Sequence, residues 1–358
     1  MKNNLMKINK TTKNNMITYG IVIAAFIIMQ ILVASGNISS LLQGLLVPLC
    51  VYAIAAVSLN LVVGISGELS LGHAGFMCVG AYASAFFSKA VGEGMPGMVR
   101  FILAILVGAL VAGIFGIIIG IPVLRLRGDY LAIVTLAFGE IIKNLMNVLY
   151  IGMDSNGLHF SVSDAASLNM EADGKVIING ALGITGTPKD STFIIGVVLI
   201  LITLFIVLNL IQSRSGRAIM SIRDNRIAAE SVGINITKYK LMAFSISAAL
   251  AGVAGVLYAH NLSTLTVKKF DYNTSILILV FVVLGGIGSI RGSIIAAVIL
   301  TALPEMLRGL SDYRMLIYAI VLIVMMLFNW APSAINWRER VKSKLKGKTK
   351  KTDKKEAA

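Results

Sequence analysis

The sequence predicts an all-α fold: a polytopic integral membrane bundle of about ten transmembrane helices, some of them broken or re-entrant. Composition is the first reason. Hydrophobic residues make up 57% of the 358 and charged residues only 14%, where a soluble domain carries roughly 25% charged residues. Clustering is the second. The runs Ile17–Ala34, Phe101–Leu124, Phe193–Leu210 and Tyr313–Trp330 are each near or above the ~18 apolar residues that cross a bilayer core as helix. The third is where the charges fall. Basic residues lie between the runs and in the tail WRERVKSKLKGKTKKTDKK. That is an orientation signal; a nucleic-acid surface would interleave them with aromatics on a polar domain, and no nucleic-acid partner is expected.

The spans follow in order. The first, 17–34, comes after a sixteen-residue basic segment (1–16) holding Lys2, Lys7, Lys10 and Lys13. Ala34-Ser35-Gly36 also fits the end of a cleaved signal peptide, but the length of the leader and of the apolar run favours an uncleaved anchor. Spans 43–64 and 68–88 carry Cys50 and Cys78, which read as small core residues because no C-x-x-C or Cys/His cluster accompanies them. Spans 101–124 and 130–150 flank Arg125 and Arg127, and a polar stretch rich in Gly, Asn, Asp and Ser runs from 151 to 192. Such a length is unusual for a passive connection; a docking surface for an external partner and a tolerated insertion are both open. Span 193–212 leads into a charged segment, 214–240. The remaining spans are 241–260, 275–288, 293–307 and 314–331, closing the transmembrane region (17–336) before a basic tail, 337–358. With the N-terminus cytoplasmic, 23 of the 32 Lys and Arg fall inside and seven outside, the bias expected of a correct topology. The tail is either a topology anchor, the plainer reading, or a contact for anionic lipid.

Two stretches interrupt the spans. VVGISGELSLGHAGF (Val62–Phe76) carries four glycines with Ser66, Glu68, Ser70 and His73, and LGGIGSIRGS (Leu284–Ser293) carries Arg291. Irregular backbone at membrane depth survives only where protein or a water-filled cavity satisfies it. The first stretch therefore reads as lining a path, with close packing through small residues as its alternative; the second reads as a cytoplasmic turn. Glu140 lies mid-span, where a charge is costly and usually functional, and Lys143 at i+3 can pair with it. A cavity-facing site and a structural ion pair both remain open. His73 reads more as a tie for the broken backbone than as a ligand. Glu68, His73, Glu140 and Lys143 are the translocation-path candidates. No metal-ligand spacing or catalytic constellation is present, GGIGS lacks the lysine of a phosphate loop, and Arg127–Asp129 is a chance RGD.

The segment GRAIMSIRDNRIAAESVGI (Gly216–Ile234) sits between two long apolar runs. Read as one helix over 218–233, it brings Ala218, Ile222, Ala229 and Val232 to one narrow face with Asn225, and sets Arg223, Arg226 and Glu230 to another side. Gly233 suits a left-handed cap. A short stripe of small residues is too weak to bury in lipid but fits a groove on a cytoplasmic protein partner.

Ala228-Ala229-x-x-x-Gly233 resembles the EAA loop of ABC importer permeases, with Ile227 where that motif usually has an acidic residue. Four longer segments, Ser58–Ser84, Leu124–Asn144, Gly216–Ala259 and Val283–Ala297, look like the LivM-type permeases of branched-chain amino acid ABC transporters. The resemblance runs from about residue 45 to 330. The external loop departs from it, with GMDSNG (Gly152–Gly157) where the family often has a T-G-G-x-x-G-like segment.

The resemblance implies a non-enzymatic transport subunit in a bacterial cytoplasmic membrane, with both termini cytoplasmic. It implies a LivH-like sister permease sharing the pore and two ABC ATPase subunits that bind the ATP, so that no cofactor is expected on this chain. It also implies an extracytoplasmic solute-binding protein delivering Leu, Ile or Val. Arg217, Ile222, Arg226, Ala228, Ala229 and Gly233 would couple to the ATPases. A permease for urea or short-chain amides is the nearest alternative, and sugar and nucleoside permeases are more distant. An ion-coupled transporter using Glu140 and Lys143, or a membrane scaffold, would belong to other classes.

Overall fold

Long apolar blocks become helices and the polar stretches between them become connections. The computed structural model describes residues 10–35, 39–126, 128–171, 174–307 and 313–330. Most of the basic leader, Arg127 and the tail 337–358 lie outside the described residues. The chain divides into two units, Met1–Thr301 and Ala302–Ala358. The helices of the first are α1 (Lys10–Ala34), α2 (Ser40–Asn60, continued by a π-helical turn Leu61–Ser66), α3 (His73–Val91), α4 (Gly97–Val123), α5 (Asp129–Val148), α6 (Phe193–Gln212), α7 (Arg214–Asp224), α8 (Arg226–Ser231), α9 (Ile236–Ala259), α10 (Tyr272–Gly285) and α11 (Ile290–Met306), the last running on past residue 301. In the second unit, α12 (Arg314–Trp330) is an apolar helix of its own.

The expectation of about ten spans is met only in part. Among the described residues, seven helices are long and apolar enough to cross a membrane: those at 15–34, 42–66, 73–91, 97–123, 129–148, 193–212 and 236–259. Helices α10, α11 and α12 hold 14, 17 and 17 residues. Apolar content alone does not show where the backbone leaves the helix, and α10 starts only after an irregular segment.

Helix α9 is the hub, packed against α2, α3 and α4. On the second half of α2 and its π-helical turn, Val51, Ala53, Ile54, Ala55, Ala56, Leu59 and Leu61 are buried to 1% exposure or less, so this part is apolar all round because protein surrounds it. Helices α3, α4 and α9 pack on one another through small residues. Ala104, Gly108, Ala112, Gly116 and Gly120 recur every fourth position on the buried face of α4, while Ile102, Leu106, Leu110, Ile114 and Ile118 cover its exposed face. Between lipid and protein the hydrophobic effect offers helices no reason to associate, so close backbone approach and van der Waals contact must supply it. The approach is tight: a Cβ built on Gly80 would stand 2.4 Å from the Cα of Gly252, and one on Gly255 2.0 Å from the carbonyl of Met77.

The long polar stretch 151–192 is more ordered than its composition suggests. Strands β1 (Tyr150–Asp154), β2 (Gly157–Ser161) and β3 (Lys175–Asn179) form an antiparallel sheet in the order β2-β1-β3. Strand β4 (Ile184–Thr185) pairs with β5 (Thr264–Leu265), tying the stretch to the segment after α9. Asp154 fastens the β1–β2 turn. Its carboxylate accepts the amides of Asn156 and Gly157 at 2.9 and 3.1 Å and that of Glu171 at 3.2 Å, and His159 Nε2 lies 3.0 Å away.

Desolvation raises the pKa of Asp154, but the amides of Glu171 and Asn156 and the His159 ring outweigh it and hold it below the usual carboxylate range. A depressed native pKa contributes stability that is present above the unfolded value and lost as pH falls through the native one. Cleavage of the 149–192 stretch by an acid protease should therefore rise steeply below about pH 4. Asp154→Asn should be cleaved readily at higher pH and lose that steepness. An unchanged acid profile in the variant would remove Asp154 as the fastener.

Candidate coupling and translocation sites

The charged segment after α6 folds locally for clear reasons. Ser213 caps α7, its Oγ accepting the amide of Gly216 at 3.0 Å. Asn225 then leaves the helical region (φ −154°, ψ 103°) and caps α8 through the amide of Ala228 at 3.0 Å. The single helix expected over 218–233 is thus two helices, because an Asn side chain competes with the backbone for a helical amide. Gly233 adopts φ +83° and ends α8, with the Ile234 amide returning to the carbonyl of Ala229 at 3.1 Å, the left-handed closure that glycine permits at least cost.

The break changes which side chains face outward. Ile222, Ala229 and Ile236 form a buried cluster backed by Ile234 and Tyr239. Ile222 and Ala229, expected to seat in a partner, are instead 3% and 4% exposed within this chain. Ile227 and Val232 are 81% and 74% exposed, and Ala228 is exposed beside them. Arg217 is exposed and donates to the carbonyl of Gln212 at 3.0 Å, and Arg226 is half-buried. Sequence reasoning took Ile227 only as a departure from a motif and did not assign it a role. Its signal was a bulky apolar residue in a charged segment.

The same segment grips the end of α2. Ile219 packs with Leu61, Ile65 and Ala243, Arg223 Nη1 donates to the carbonyl of Gly64 at 2.8 Å, and Lys240 pairs with Glu68. Glu68, expected on a path through the bundle, thus sits beside α7 and the first turns of α9. His73 is 2% exposed, with Nε2 2.7 Å from Ser58 Oγ; Ser58 in turn takes Ser247 Oγ on its carbonyl at 2.6 Å. Gly72 and Gly75 lie against Thr135 and Gly139. The stretch Val62–Phe76 does break the helix, but its glycines are mostly packing contacts. The Leu284–Ser293 stretch is a turn, with Gly286 and Gly288 at φ +97° and +81°.

Glu140 and Lys143 lie elsewhere, on α5. They pair at 2.8 Å with side chains 28% and 25% exposed. Glu140 Oε1 also accepts the amide of Tyr272 at 3.2 Å, while Asp271 caps α10 through the amide of Thr274 at 3.0 Å. Glu140 stands eight residues before the end of α5, about 12 Å along its axis. Helix α10 therefore begins well inside the level of the β1–β3 sheet, and the segment between α9 and α10 runs back down the bundle with Leu265, Val267 and Phe270 buried. Sequence reasoning missed this third irregular stretch; the aperiodic polar run Asn261–Asn273 was its signal.

Comparison with known proteins sets these sites in a family. The family model described as "Branched-chain amino acid transport system / permease component" matches residues 41–328. The high-affinity branched-chain amino acid transport system permease protein LivM of Salmonella typhimurium is 36% identical over 305 residues, covering 83% of this chain and 70% of the relative. Its counterpart in Escherichia coli K12 is 35% identical over 306 residues, with the same two coverages. More distant is the ribose import permease RbsC of Escherichia coli K12, 27% identical over 77% of this chain and 81% of its own length. No solved structure matches. With four-fifths of its length aligned to such relatives, and a helical multi-pass architecture to match, the chain belongs to the family of permease components of branched-chain amino acid transport systems.

Proposed function

We propose that this chain is the pore subunit of an ATP-driven importer for the branched-chain amino acids leucine, isoleucine and valine, in a bacterial cytoplasmic membrane. A LivH-like sister permease shares the pore, two ATPase subunits dock on α7–α8 from the cytoplasm and bind the ATP, and a solute-binding protein delivers the amino acid from outside. The observation that carries the coupling is α8 itself: a capped helix braced on a buried cluster, holding Ile227 and Val232 exposed. An isolated short helix in water has no reason to display two large apolar side chains on a rigid base, whereas a groove on a partner would bury them. The substrate class rests on the LivM relatives. Glu140 and Lys143 contribute a polar patch to the translocation path, since a part-exposed ion pair on a membrane-spanning helix is costly against lipid.

Affinity purification of the chain from its native membrane, followed by uptake of labelled leucine into vesicles, tests the reading. Two ATPases and a second permease should co-purify, and uptake should require ATP and an external binding protein. A chain that purifies alone and takes up leucine on an ion gradient with ATP absent would overturn it. Uptake of urea instead of leucine would move the substrate class.

A further inference from the structure

We infer that Arg223 and the Glu68–Lys240 pair are positioning residues for transport, carrying motion of the α7–α8 segment into the end of α2 and on to the glycine turn between α10 and α11. The inference rests on the proposed docking of ATPases at α8. Arg223 occupies the last turn of α7, two residues before the Asn225 break that starts α8. Its guanidinium spans 159 residues of sequence to reach the Gly64 carbonyl at 2.8 Å, and Asp224 Oδ1 holds Nε and Nη2 at 3.0 and 2.9 Å. The last carbonyls of a helix have no partner within it, so the arginine takes a bond that the end of α2 leaves open. Gly67, at φ +76°, lies under the arginine stem, and a Cβ there would stand 2.6 Å from Arg223 Cγ. Lys240 supplies a second strap by pairing with Glu68, both side chains being 12% exposed.

The far side of the gripped turn is equally close. A Cβ on Gly64 would fall 2.3 Å from the Gly288 amide nitrogen. Asn60 accepts that amide at 2.9 Å and donates to Ser293 Oγ at 2.7 Å. Gly64 meets Gly288 backbone to backbone, and the short Asn60 side chain bridges the two segments, so no long side chain absorbs a displacement, and close-packed interiors transmit strain. The gripped turn is itself π-helical, a conformation that is rare and concentrates at functional sites. A shift of α7 therefore moves Gly64 through Arg223, a shift at the start of α9 moves Glu68 through Lys240, and from Gly64 the displacement passes to Gly288 and the start of α11.

The test uses the whole reconstituted importer, with ATPases, sister permease and binding protein, and reads leucine taken up per ATP hydrolysed. In Arg223→Gln, Glu68→Lys and Lys240→Glu the complex should assemble at wild-type yield and hydrolyse ATP. Uptake per ATP should fall at least about fivefold, the lower end of ordinary coupling between sites. The double variant Glu68→Lys with Lys240→Glu should recover much of the ratio. Loss of complex yield with an unchanged ratio in the surviving complexes would mean that these residues only hold the fold, and would overturn the inference. So would wild-type ratios throughout. If the wild-type complex shows no ATP-dependent uptake, the importer reading itself falls, a failure that the wild-type lane alone reveals.

Discussion

Gly80→Leu prevents the chain from accumulating as a folded bundle. The Cβ alone would stand 2.4 Å from the Cα and 2.5 Å from the carbonyl oxygen of Gly252 on α9, closer than real Cβ contacts come, and neither atom belongs to a side chain that can turn away. Helix α4 closes the other side, since a Cβ on Gly252 would meet that of Ala112 at 2.5 Å and one on Gly108 the carbonyl of Gly80 at 2.9 Å. Separating α3 from α9 would forfeit contacts along the whole seam, and within a bilayer little else holds these helices together. Overpacking a well-filled core costs about 1–3 kcal/mol even where side chains can yield. Gly80→Ala should therefore lower the melting temperature of the detergent-extracted chain, and Gly80→Leu should leave none to melt. Gly20→Ala supplies the contrast. A Cβ there meets nothing within 4 Å, and relieving a helical glycine is worth roughly 0.5–1 kcal/mol, so that variant should accumulate normally. Normal yield and melting in Gly80→Leu would refute the glycine seam.

Hydropathy made most of the long helices legible because a membrane span needs a continuous apolar run, and the apolar blocks begin and end near α1, α4, α5, α6 and α9. The same property hid the ends of other helices. Leu61–Ser66 is as apolar as the helix before it, so the passage into a π-helical turn leaves no mark in composition, and α10 begins at Tyr272, three residues before the expected span 275–288, because Asp271 caps a polar first turn that hydropathy does not see. Gly233 was readable because a left-handed cap demands a residue that bears positive φ, and glycine is the common answer. The partners of Glu68 and His73 were not readable. Lys240 and Ser58 lie 172 and 15 residues away, and no local pattern records a contact made by tertiary packing. The same holds for the face of α8. A straight helix through 218–233 puts Ala229 and Val232 on one side, but Asn225 interrupts it, and the rotation introduced there buries Ala229 and exposes Ile227.

That rotation decides which substitution separates docking from folding. Ala229→Glu loses transport for an uninformative reason: at 4% exposure the carboxylate would enter the Ile222–Ile236 cluster, and an unpaired charge in an apolar site destabilises the segment itself. Ile227→Glu acts on an 81% exposed side chain and should leave chain yield, melting and the Arg223 and Lys240 contacts unchanged. Its effect should appear only where a partner covers α8. Fully burying an isoleucine contributes about 1.5–3 kcal/mol, and forcing a carboxylate into the same apolar groove adds a desolvation penalty. Co-purified ATPase and ATP-dependent leucine uptake should both fall more than about tenfold, since 1.4 kcal/mol already corresponds to that factor. Val232→Glu should behave alike and Ile227→Leu should not, because volume and polarity are retained. Ile227→Glu complexes that keep their ATPases and take up leucine at the wild-type rate would remove α8 from the docking surface. The grip of α7 on α2 would then be a brace within one subunit rather than the start of a relay.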